Sequence, residues 1–571
     1  MNEYTNTVTS KSLTLKVWRG ERMCLLGMDV SNPEPDFVGF SIEVKSPGSP
    51  GFIPLRNRLA FSYPATTAPS TIDSKQFPSL EAPFQKFRWV HFPQNPQPGT
   101  YSYRVTKQHM PKDGVLKPGD SATTNISLDP HIYEGFLDVG FTRGYASSQA
   151  FTEKFGNTPK FFPPLTPAGG GAGPTFDKTT APAGAYQWLG FEAYDLIFGI
   201  LKDVATDSTL TLDAFAYDLD EPDIIADLAN IGKRLRIIID NSGNHAPATS
   251  GPSQAAKTLT KAKATVQRMH FTSKGLQHNK VLIVKRNGTA VKVLCGSTNF
   301  SFNGLYLQSN NALVFEGQDA AGLFDQYFTA AWTKPKTFPT SDLATKWHLI
   351  QPKGAPAVQF CLAPHGNPDL SLNPVAAAID QASSSVFFAI AFLAQIKTTD
   401  TVRAAVDRLT DKPVFSYGIS DKSTGLSVKK PDGTVGLVKW DYLKTKTAQP
   451  FAAEFSSGSG IHEHNKFVVT DFNLPTAKVF TGSSNLSGSG EKGNGDHLIV
   501  IEDSRVATSY AIQAVLIFDH LHFAANMNAA KKPTQLLLEK PVAISKAKAT
   551  WFARYYEQNS QLARDRQLFS H

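Results

Sequence analysis

The chain has 571 residues, with 57 Lys and Arg against 49 Asp and Glu and a formal net charge of +8. This length predicts roughly two to four domains, and 41% hydrophobic against 19% charged residues excludes a wholly disordered chain. Three widely spaced cysteines, Cys24, Cys295 and Cys361, exclude a disulfide scaffold and a paired-cysteine metal motif.

The N-terminus has no basic segment followed by an apolar one, so the sequence predicts no signal peptide. The longest apolar stretch, at 385–396, is far shorter than the roughly 20 residues that span a bilayer, and we interpret it as a buried strand. We therefore expect a soluble protein, with the cytoplasm as the default location.

Residues 1–143 are typical of an all-β domain. Short runs rich in β-branched and aromatic residues alternate with Pro, Gly and Asn turns, without a convincing amphipathic helix. The runs lie at 12–18, 37–44, 58–63, 85–92, 100–106, 122–128 and 135–142. This spacing predicts an antiparallel β-sandwich of immunoglobulin or C2-like size.

Beyond a Pro- and Gly-rich loop at 163–185, strands alternate with helices. The first half has a predicted strand, helix and strand at 209–217, 223–231 and 234–240. The second half repeats this order at 385–393, 401–409 and 413–419. The alternation predicts an α/β fold with helices covering each sheet, and we place the two lobes at 144–345 and 346–571.

The positive charge is concentrated in residues 241–315, which contain nine Lys and Arg and no Asp or Glu. Two interpretations fit this window. One is a solvated basic helix around 255–268, which is the usual meaning of a charge run. The other is an electropositive wall beside a site for anionic substrates.

The strongest signal is a duplicated motif. The first copy is HNKVLIV at 278–284, GSTNFS at 296–301 and SNN at 309–311, and the second is HNKFVVTD at 464–471, GSSNLS at 482–487 and NGD at 494–496. In both copies the histidine precedes the glycine by 18 residues, the asparagine by 21 and the last polar residue by 32. Matched offsets at about seven positions argue strongly against two unrelated histidines.

This pair of motifs resembles the phospholipase D superfamily, whose signature HxK(x)4D with a GSxN segment occurs twice per active site. The resemblance covers about residues 185–525. It implies two pseudo-symmetric α/β lobes that share one active site, here preceded by the β-sandwich. The first copy departs from the signature at Lys285, where the second copy has Asp471. In the family this aspartate is usually structural.

The residue types suit attack on a phosphodiester anion. Lys280 and Lys466 can neutralise the non-bridging oxygens, and the amides of Asn299 and Asn485 can hydrogen-bond them as charge accumulates. One imidazole attacks phosphorus to form a phosphohistidine, and the other protonates the leaving oxygen and then activates water or an alcohol. We expect no cofactor and no metal, since the lysines carry the positive charge.

The two copies differ at the last polar position, which is Asn310 in the first and Asp496 in the second. A nucleophilic imidazole needs its other nitrogen fixed, preferably by a carboxylate. Following the family precedent, we hypothesise that His278 is the nucleophile and His464 the general acid, with Asp496 orienting one of them. Residues expected to contact the substrate are Ser297, Ser483 and Asn310.

For the substrate, we favour the headgroup phosphodiester of phospholipids, with peripheral membrane contact. A nuclease using the same site is the alternative, and a non-catalytic anion-binding protein is a third interpretation that the intact motifs disfavour. A zinc site at His462 and His464 is disfavoured because ligand-spaced partners are absent from the sequence. Since both motifs lie in one chain, we expect a monomer.

The C-terminal segment from Lys531 is basic and includes ATWFARYYEQ at 549–558. We consider two roles for it. In the first, it forms an amphipathic helix at a membrane or phosphate surface. In the second, which we favour, it forms a terminal helix packed on the second lobe.

Overall fold

A computed structural model describes residues 4–63, 76–93, 95–129, 131–144, 151, 154–155, 181–421, 426, 429–439, 463–529, 536–545 and 547–571. The predicted loop at 163–185 therefore lies mostly outside the described residues. In the described part of the chain, no helix is both long and apolar enough to cross a membrane.

The N-terminal region forms two antiparallel four-stranded sheets, in the order β1-β2-β3-β8 and β10-β9-β4-β5, beside a β6-β7 pair. The strands are β1 Thr5–Ser10, β2 Leu13–Gly20, β3 Met23–Val30, β4 Phe37–Lys45, β5 Ile53–Pro54, β6 Arg56–Asn57, β7 Phe77–Pro78, β8 Arg88–His91, β9 Gly99–His109 and β10 Lys117–Leu128. Alternate residues of β2 and β9, such as Leu15 and Tyr103, are buried in a common core between the sheets. The predicted sandwich is therefore present.

The first lobe contains a seven-stranded sheet in the order β11-β17-β16-β15-β12-β13-β14. Its strands are β11 Leu137–Phe141, β12 Leu210–Ala216, β13 Leu235–Asp240, β14 Thr265–Met269, β15 Lys280–Arg286, β16 Thr289–Gly296 and β17 Asn311–Glu316. The β12-β13-β14 portion is parallel and the remainder is antiparallel.

The second lobe contains an eight-stranded sheet in the order β18-β19-β25-β24-β23-β20-β21-β22. Its strands are β18 His348–Ile350, β19 Val358–Ala363, β20 Ser385–Ile390, β21 Phe415–Ser420, β22 Leu437–Lys439, β23 Lys466–Thr470, β24 Lys478–Gly482 and β25 Asp496–Ile501. Seven of these strands repeat the order and directions of the first sheet, with β19 in the place of β11. The predicted pair of pseudo-symmetric α/β lobes is confirmed.

Nine α-helices in the described residues cover and connect the sheets. They are α1 Ala185–Thr206, α2 Pro222–Ile231, α3 Gly251–Lys261, α4 Gln318–Thr333, α5 Asp369–Gln381, α6 Thr401–Leu409, α7 Gly488–Gly493, α8 Ser504–Ala529 and α9 Gln561–Ser570. Short helical turns lie at Gly232–Arg234, Gly243–His245, Asn303–Leu307, Pro335–Thr340, Leu393–Gln395 and Ala553–Tyr556.

The strand predicted at 135–142 exists, but it does not belong to the sandwich. β11 pairs antiparallel with β17 and forms an edge of the first-lobe sheet. Its hydrogen bonds therefore place residues 137–141 in the first lobe, although the predicted boundary assigned them to the N-terminal domain. In this pairing Phe141 lies opposite Asn311, which is the first residue of β17 and the last residue of the SNN motif segment.

A continuous hydrophobic core joins the two lobes to the sandwich. It contains Phe324 of α4, Phe360 of β19 and Tyr510 of α8, together with Trp18 of β2. The Trp18 Nε1 donates to the carbonyl of Phe569 at a distance of 2.8 Å. The two halves of the repeat thus meet through buried side chains, which fixes the distance between their motifs.

The C-terminal helix α9 packs on β3 of the sandwich and on β21 of the second lobe. Before it, Trp551 Nε1 donates to the carbonyl of Phe37 at 3.1 Å, and the Tyr556 hydroxyl donates to that of Val30 at 2.6 Å. The terminal segment is therefore a packed helix, as favoured, but it contacts the sandwich as well as the second lobe. The run at 549–558 forms a short helical turn, and Lys531 lies outside the described residues.

Candidate active site

The two HxK motifs lie side by side because each pairs with the other lobe. The amide of His278, just before β15, donates to the carbonyl of Gly495 at 2.9 Å. The amide of His464, just before β23, donates to that of Ser309 at 3.1 Å. These two bridges are equivalent under the repeat, since His464 and Gly495 each follow their counterparts by 186 residues. The motifs therefore form one site at the interface of the lobes.

Each histidine is oriented by a side chain from the opposite lobe. The Nδ1 of His278 lies 2.8 Å from Oδ1 of Asp496, and the Nδ1 of His464 lies 2.9 Å from Oδ1 of Asn310. The acceptor oxygens fix the proton on Nδ1 in both rings and leave Nε2 for chemistry. The carboxylate stands behind His278, the nucleophile of our hypothesis.

The three predicted substrate-contacting residues lie behind the histidines instead. The Ser297 hydroxyl donates to Oδ1 of Asn310 at 2.9 Å, and the Ser483 hydroxyl donates to Oδ1 of Asp496 at 2.7 Å. The Asn310 amide donates to the carbonyl of Gly304 at 2.8 Å. All three side chains are buried and their polar groups are used within the protein, which differs from the predicted direct contact with substrate.

The glycine that opens each GSxN segment is required by close backbone approach. Gly296 and Gly482 have φ of 138° and 137°, in the region that disfavours side chains. A Cβ on Gly482 would lie 2.3 Å from the carbonyl oxygen of His497. A Cβ on Gly296 would lie 2.6 Å from that of Asn311. The predicted close approach of the backbone at these turns is therefore present.

The lysines and asparagines complete the site. Lys280 and Lys466 are both buried. The ammonium of Lys280 donates to the carbonyl of His278, and that of Lys466 donates to the carbonyl of His464. Asn299 is buried, and its Oδ1 and that of Asn485 have no hydrogen-bond partner among the described residues. Buried polar groups of this kind normally find partners, so these amides are available to a ligand.

Burial controls the electrostatics of the site. Burial lowers the pKa of Lys280 to about 7, with Asp496 opposing the shift. It lowers the pKa of Lys466, His278 and His464 well below their ordinary values, and neighbouring lysines add to the shift of each histidine. A bound phosphodiester anion opposes these shifts, because negative charge favours the cationic forms.

An aromatic ring flanks each histidine. The ring of Tyr217 lies edge-to-face with His278, with centroids 4.6 Å apart, and Lys280 Nζ lies 4.7 Å from the Tyr217 centroid. Phe392 holds the equivalent place beside His464 at 6.2 Å. Both aromatics lie just after equivalent strands, Tyr217 after β12 and Phe392 after β20, and this shared position could have marked them in the sequence. Trp440 and Tyr442, which the sequence places near the second motif, lie outside the described residues.

The fourth signature position is structural in both copies. Asp471 accepts hydrogen bonds from the backbone amides of Ser383, Ser384 and Ser385, at 2.7–3.1 Å from Oδ1. Lys285, its counterpart, pairs with Asp325 at 2.8 Å. The substitution in the first copy therefore changes the support of the sheet and leaves the histidines in place.

The basic window does not form a continuous wall at the site. Lys280 contacts the motif, whereas Arg286 and Lys292 pair with Asp207 and Glu316 at 3.2 and 2.8 Å. Exposed lysines of the window lie on α3 and in nearby loops, as in the solvated-helix interpretation. Among the described residues, no group of three or more His, Cys, Asp or Glu is placed to hold a metal ion. His462 lies outside them.

Comparison with known structures finds several similar chains. Phosphatidylserine synthase from Haemophilus influenzae Rd KW20 is 12% identical, with a TM-score of 0.40, over 66% of this chain and 93% of that one. Nuc, a phospholipase D family member from Salmonella typhimurium, is 25% identical, with a TM-score of 0.21; the match covers 25% of this chain and 88% of Nuc. Polyphosphate kinase from Porphyromonas gingivalis is 10% identical, with a TM-score of 0.35, over 54% of this chain and only 45% of its own.

No curated protein sequence matches the chain. A family model described as "Cardiolipin synthase, PLD-like domain" matches residues 208–332 and 375–514. These segments contain both HxK motifs, both GSxN segments and the two cross-lobe partners of the histidines. The family match and the paired motifs therefore coincide in both lobes, and these two segments are similar to the phospholipase D-like domain that the model describes.

Proposed function

We propose that the protein cleaves the headgroup phosphodiester of phospholipids through a phosphohistidine at His278. The observation that carries this proposal is the asymmetry of the two cross-lobe pairs. A carboxylate, Asp496, holds His278, whereas a neutral amide, Asn310, holds His464. The carboxylate stabilises the imidazolium that forms when a histidine attacks, so the pair with Asp496 supports the nucleophile.

In the first step, Nε2 of His278 forms a bond to phosphorus and the bond to the leaving oxygen breaks. Protonated His464 gives its Nε2 proton to that oxygen, so an alcohol leaves. Lys280 and Lys466 hold the non-bridging oxygens, and the Nδ2 donors of Asn299 and Asn485, rather than their unpartnered Oδ1 acceptors, are the amide atoms suited to the same task.

In the second step, neutral His464 takes a proton from water or an alcohol, whose oxygen attacks phosphorus. The phosphorus–nitrogen bond breaks and His278 is restored. Water gives hydrolysis and an alcohol gives headgroup transfer, so the same residues serve both reactions.

The phospholipid substrate is supported by the family whose model matches, since that family is described by a phospholipid-forming activity. One chain supplies a complete site, because each histidine is held by the other half of the same chain. We therefore propose a monomeric enzyme that meets its substrate at a membrane surface.

The test compares phosphatidylcholine vesicles with plasmid DNA, both with and without EDTA. We expect choline release without nicking, unchanged by EDTA, and its loss in Lys466→Met. Nicking without choline release would instead identify a nuclease. Activity on neither substrate would support an anion-binding protein, and loss of activity in EDTA would contradict the metal-free steps.

A further inference from the structure

A third histidine borders the site and has no part in the steps above. His245 ends the short helical turn that follows β13, and its Nδ1 lies 2.9 Å from Oδ2 of Asp240. The other oxygen of this buried carboxylate accepts from the backbone amide of Gln277 at 2.7 Å. Gln277 immediately precedes His278, so one carboxylate fixes both the third histidine and the catalytic strand.

The backbone of His245 is held as firmly as its ring. Its carbonyl accepts hydrogen bonds from Arg268 Nη2 at 2.7 Å, from the Ser250 hydroxyl at 2.8 Å and from the Ser253 hydroxyl at 3.1 Å. Three donors on one loop carbonyl fix the position of the ring before any substrate arrives, as in a preorganised binding site.

The ring of His245 lies close to the active site. Tyr217 makes edge-to-face contacts with both histidines, with its centroid 4.5 Å from that of His245 and 4.6 Å from that of His278. The Nε2 of His245 has no hydrogen-bond partner among the described residues. It lies 3.8 Å from Oδ1 of Asp218, a partly exposed carboxylate just beyond β12.

The gap between these two atoms suits a single hydroxyl group. An oxygen placed about 2.8 Å from each can donate its proton to Asp218 and accept a second hydrogen bond from Nε2 when Nε2 carries a proton. When Nε2 carries no proton, the hydroxyl donates to one of the two acceptors and makes a single hydrogen bond. A cationic ligand group is disfavoured, because the ammonium of Lys280 interacts electrostatically with Asp218.

The pair formed by His245 and Asp218 lies in the first lobe, beside His278. Residues 421–439, which follow β21 as the turn of His245 follows β13, contain no histidine. In-line displacement puts the leaving oxygen opposite the attacking His278, toward His464. A group beside His278 therefore faces the half of the substrate that stays on phosphorus.

We propose that His245 and Asp218 form a positioning site for a free hydroxyl on the retained half of the substrate. If the substrate is a phospholipid, as proposed above, the chemical class that carries such a hydroxyl is a lysophospholipid. Its glycerol hydroxyl lies next to the phosphate-bearing carbon, within reach of a site adjacent to the nucleophile.

The test measures choline release from 1-acyl-lysophosphatidylcholine and from its 2-O-methyl ether, in which a methyl group replaces the hydroxyl proton. We expect the wild-type kcat/KM to be about tenfold higher for the free hydroxyl, the size of one lost hydrogen bond to a charged group. His245→Gln and Asp218→Asn should each remove this preference while leaving turnover of the ether within about threefold.

His131→Gln is the matched control, because His131 precedes β11 and forms a 2.9 Å pair with Asp138 of that strand. This variant should retain the preference. Equal wild-type turnover of the two substrates, or equal losses on both substrates in the His245 and Asp218 variants, would overturn the hydroxyl site alone. No choline release from these substrates or from phosphatidylcholine would overturn the proposed function, and the hydroxyl site with it.

Discussion

Asp496 and Asn310 occupy equivalent positions 186 residues apart, but one is a carboxylate and the other an amide. Each reaches across the interface to a histidine of the other lobe. At the scale of single residues, this is the difference between the halves that bears on the chemistry. In our proposal it assigns nucleophilic attack to His278 and proton transfer to His464.

Asp496→Asn tests this assignment directly. Burial raises the pKa of Asp496 to about 6, so its charge is present above that pH and is lost below it. We expect the wild-type kcat/KM to fall as the pH drops through about 6. The variant should lose that acidic limb, with kcat lower by roughly 100-fold or more, because an amide stabilises the imidazolium less.

Asn310→Asp is the companion variant. It keeps Asp496 behind His278, so the acidic limb should persist, and kcat should fall much less than in Asp496→Asn. A higher kcat in Asn310→Asp, together with little loss in Asp496→Asn, would instead assign the nucleophile to His464.

Glu463 occupies the position that Gln277 has in the other repeat, and this difference affects stability. Burial raises its pKa to about 8, and its Oε1 accepts from the amide of Asn465 at 2.8 Å. Its counterpart Gln277 makes the same bond to Asn279 at 3.0 Å. Since the folded state holds the Glu463 proton more tightly than the unfolded state, the free energy of unfolding should decrease as the pH rises from about 4.5 to 8.

Glu463→Gln should remove this pH dependence and stabilise the protein by more than about 1 kcal/mol at pH 8. Denaturant unfolding at pH 5 and pH 8 measures it. Gln277→Glu is the matched control and should introduce the same decline. If the free energy of unfolding changed with pH in the same way in wild type and in Glu463→Gln, Glu463 would ionise in the folded state without a free-energy penalty, which would contradict the prediction.

At the scale of elements, Asp471 supports the start of β20 by accepting from three consecutive backbone amides. Asp471→Ala removes the acceptor of all three donors and leaves the buried amide of Ser385 unsatisfied, which costs about 1–3 kcal/mol. We expect a lower Tm in thermal unfolding, with kcat within about threefold of wild type. A large loss of kcat with unchanged Tm would place Asp471 in the chemistry.

The elements of the lobes follow their sequence patterns closely. The helix predicted at 401–409 is Thr401–Leu409, and the strand predicted at 209–217 is Leu210–Ala216. Prediction failed for β3, whose eight residues are all buried and therefore do not alternate. A Cβ on Gly27 of that strand would lie 2.0 Å from the carbonyl of Phe569, so α9 covers a face that a sandwich strand usually exposes.

The run predicted as a strand at 58–63 is irregular and forms no strand. There, the Asn57 side chain accepts from the amide of Leu59 at 3.1 Å and donates to the carbonyls of Ala82 and Pro83. Such side-chain bonds replace strand pairing and are not visible in a β-branched pattern.

The site was predictable in its residues but not in its partnerships. Fixed offsets identify Asp496 and Asn310 as equivalent. Which histidine each one holds depends on how the lobes dock, which local spacing does not encode. The internal repeat could not identify His245, because the corresponding part of the second half contains no histidine.

At the scale of the whole molecule, the sandwich is joined to the second lobe by a buried cation. Arg88 of β8 pairs with Asp565 of α9 at 2.7 Å and with Asp519 of α8, and donates to the Tyr417 hydroxyl at 3.2 Å. This cluster explains why the N-terminal region is continuous with the core of the lobes, so we expect it to be needed for folding.

Arg88→Met leaves two acidic groups in a buried cluster without their cation. We expect the free energy of unfolding to decrease by about 3–5 kcal/mol in denaturant titrations. Arg104→Met is the control, because Arg104 pairs with Glu43 at a more exposed site within the sandwich, where the cost is about 1 kcal/mol or less. Equal effects of the two variants would contradict the anchoring role.

The central claim, that His278 is the nucleophile, is tested by trapping the covalent intermediate. A phosphodiester with a p-nitrophenolate leaving group needs no protonation, so it can load His464→Asn, which lacks the acid and base of both steps. We predict a phosphorylated adduct that peptide mass spectrometry places on His278, and none in His278→Asn. An adduct on His464 in His278→Asn, with none on His278 in His464→Asn, would contradict the account.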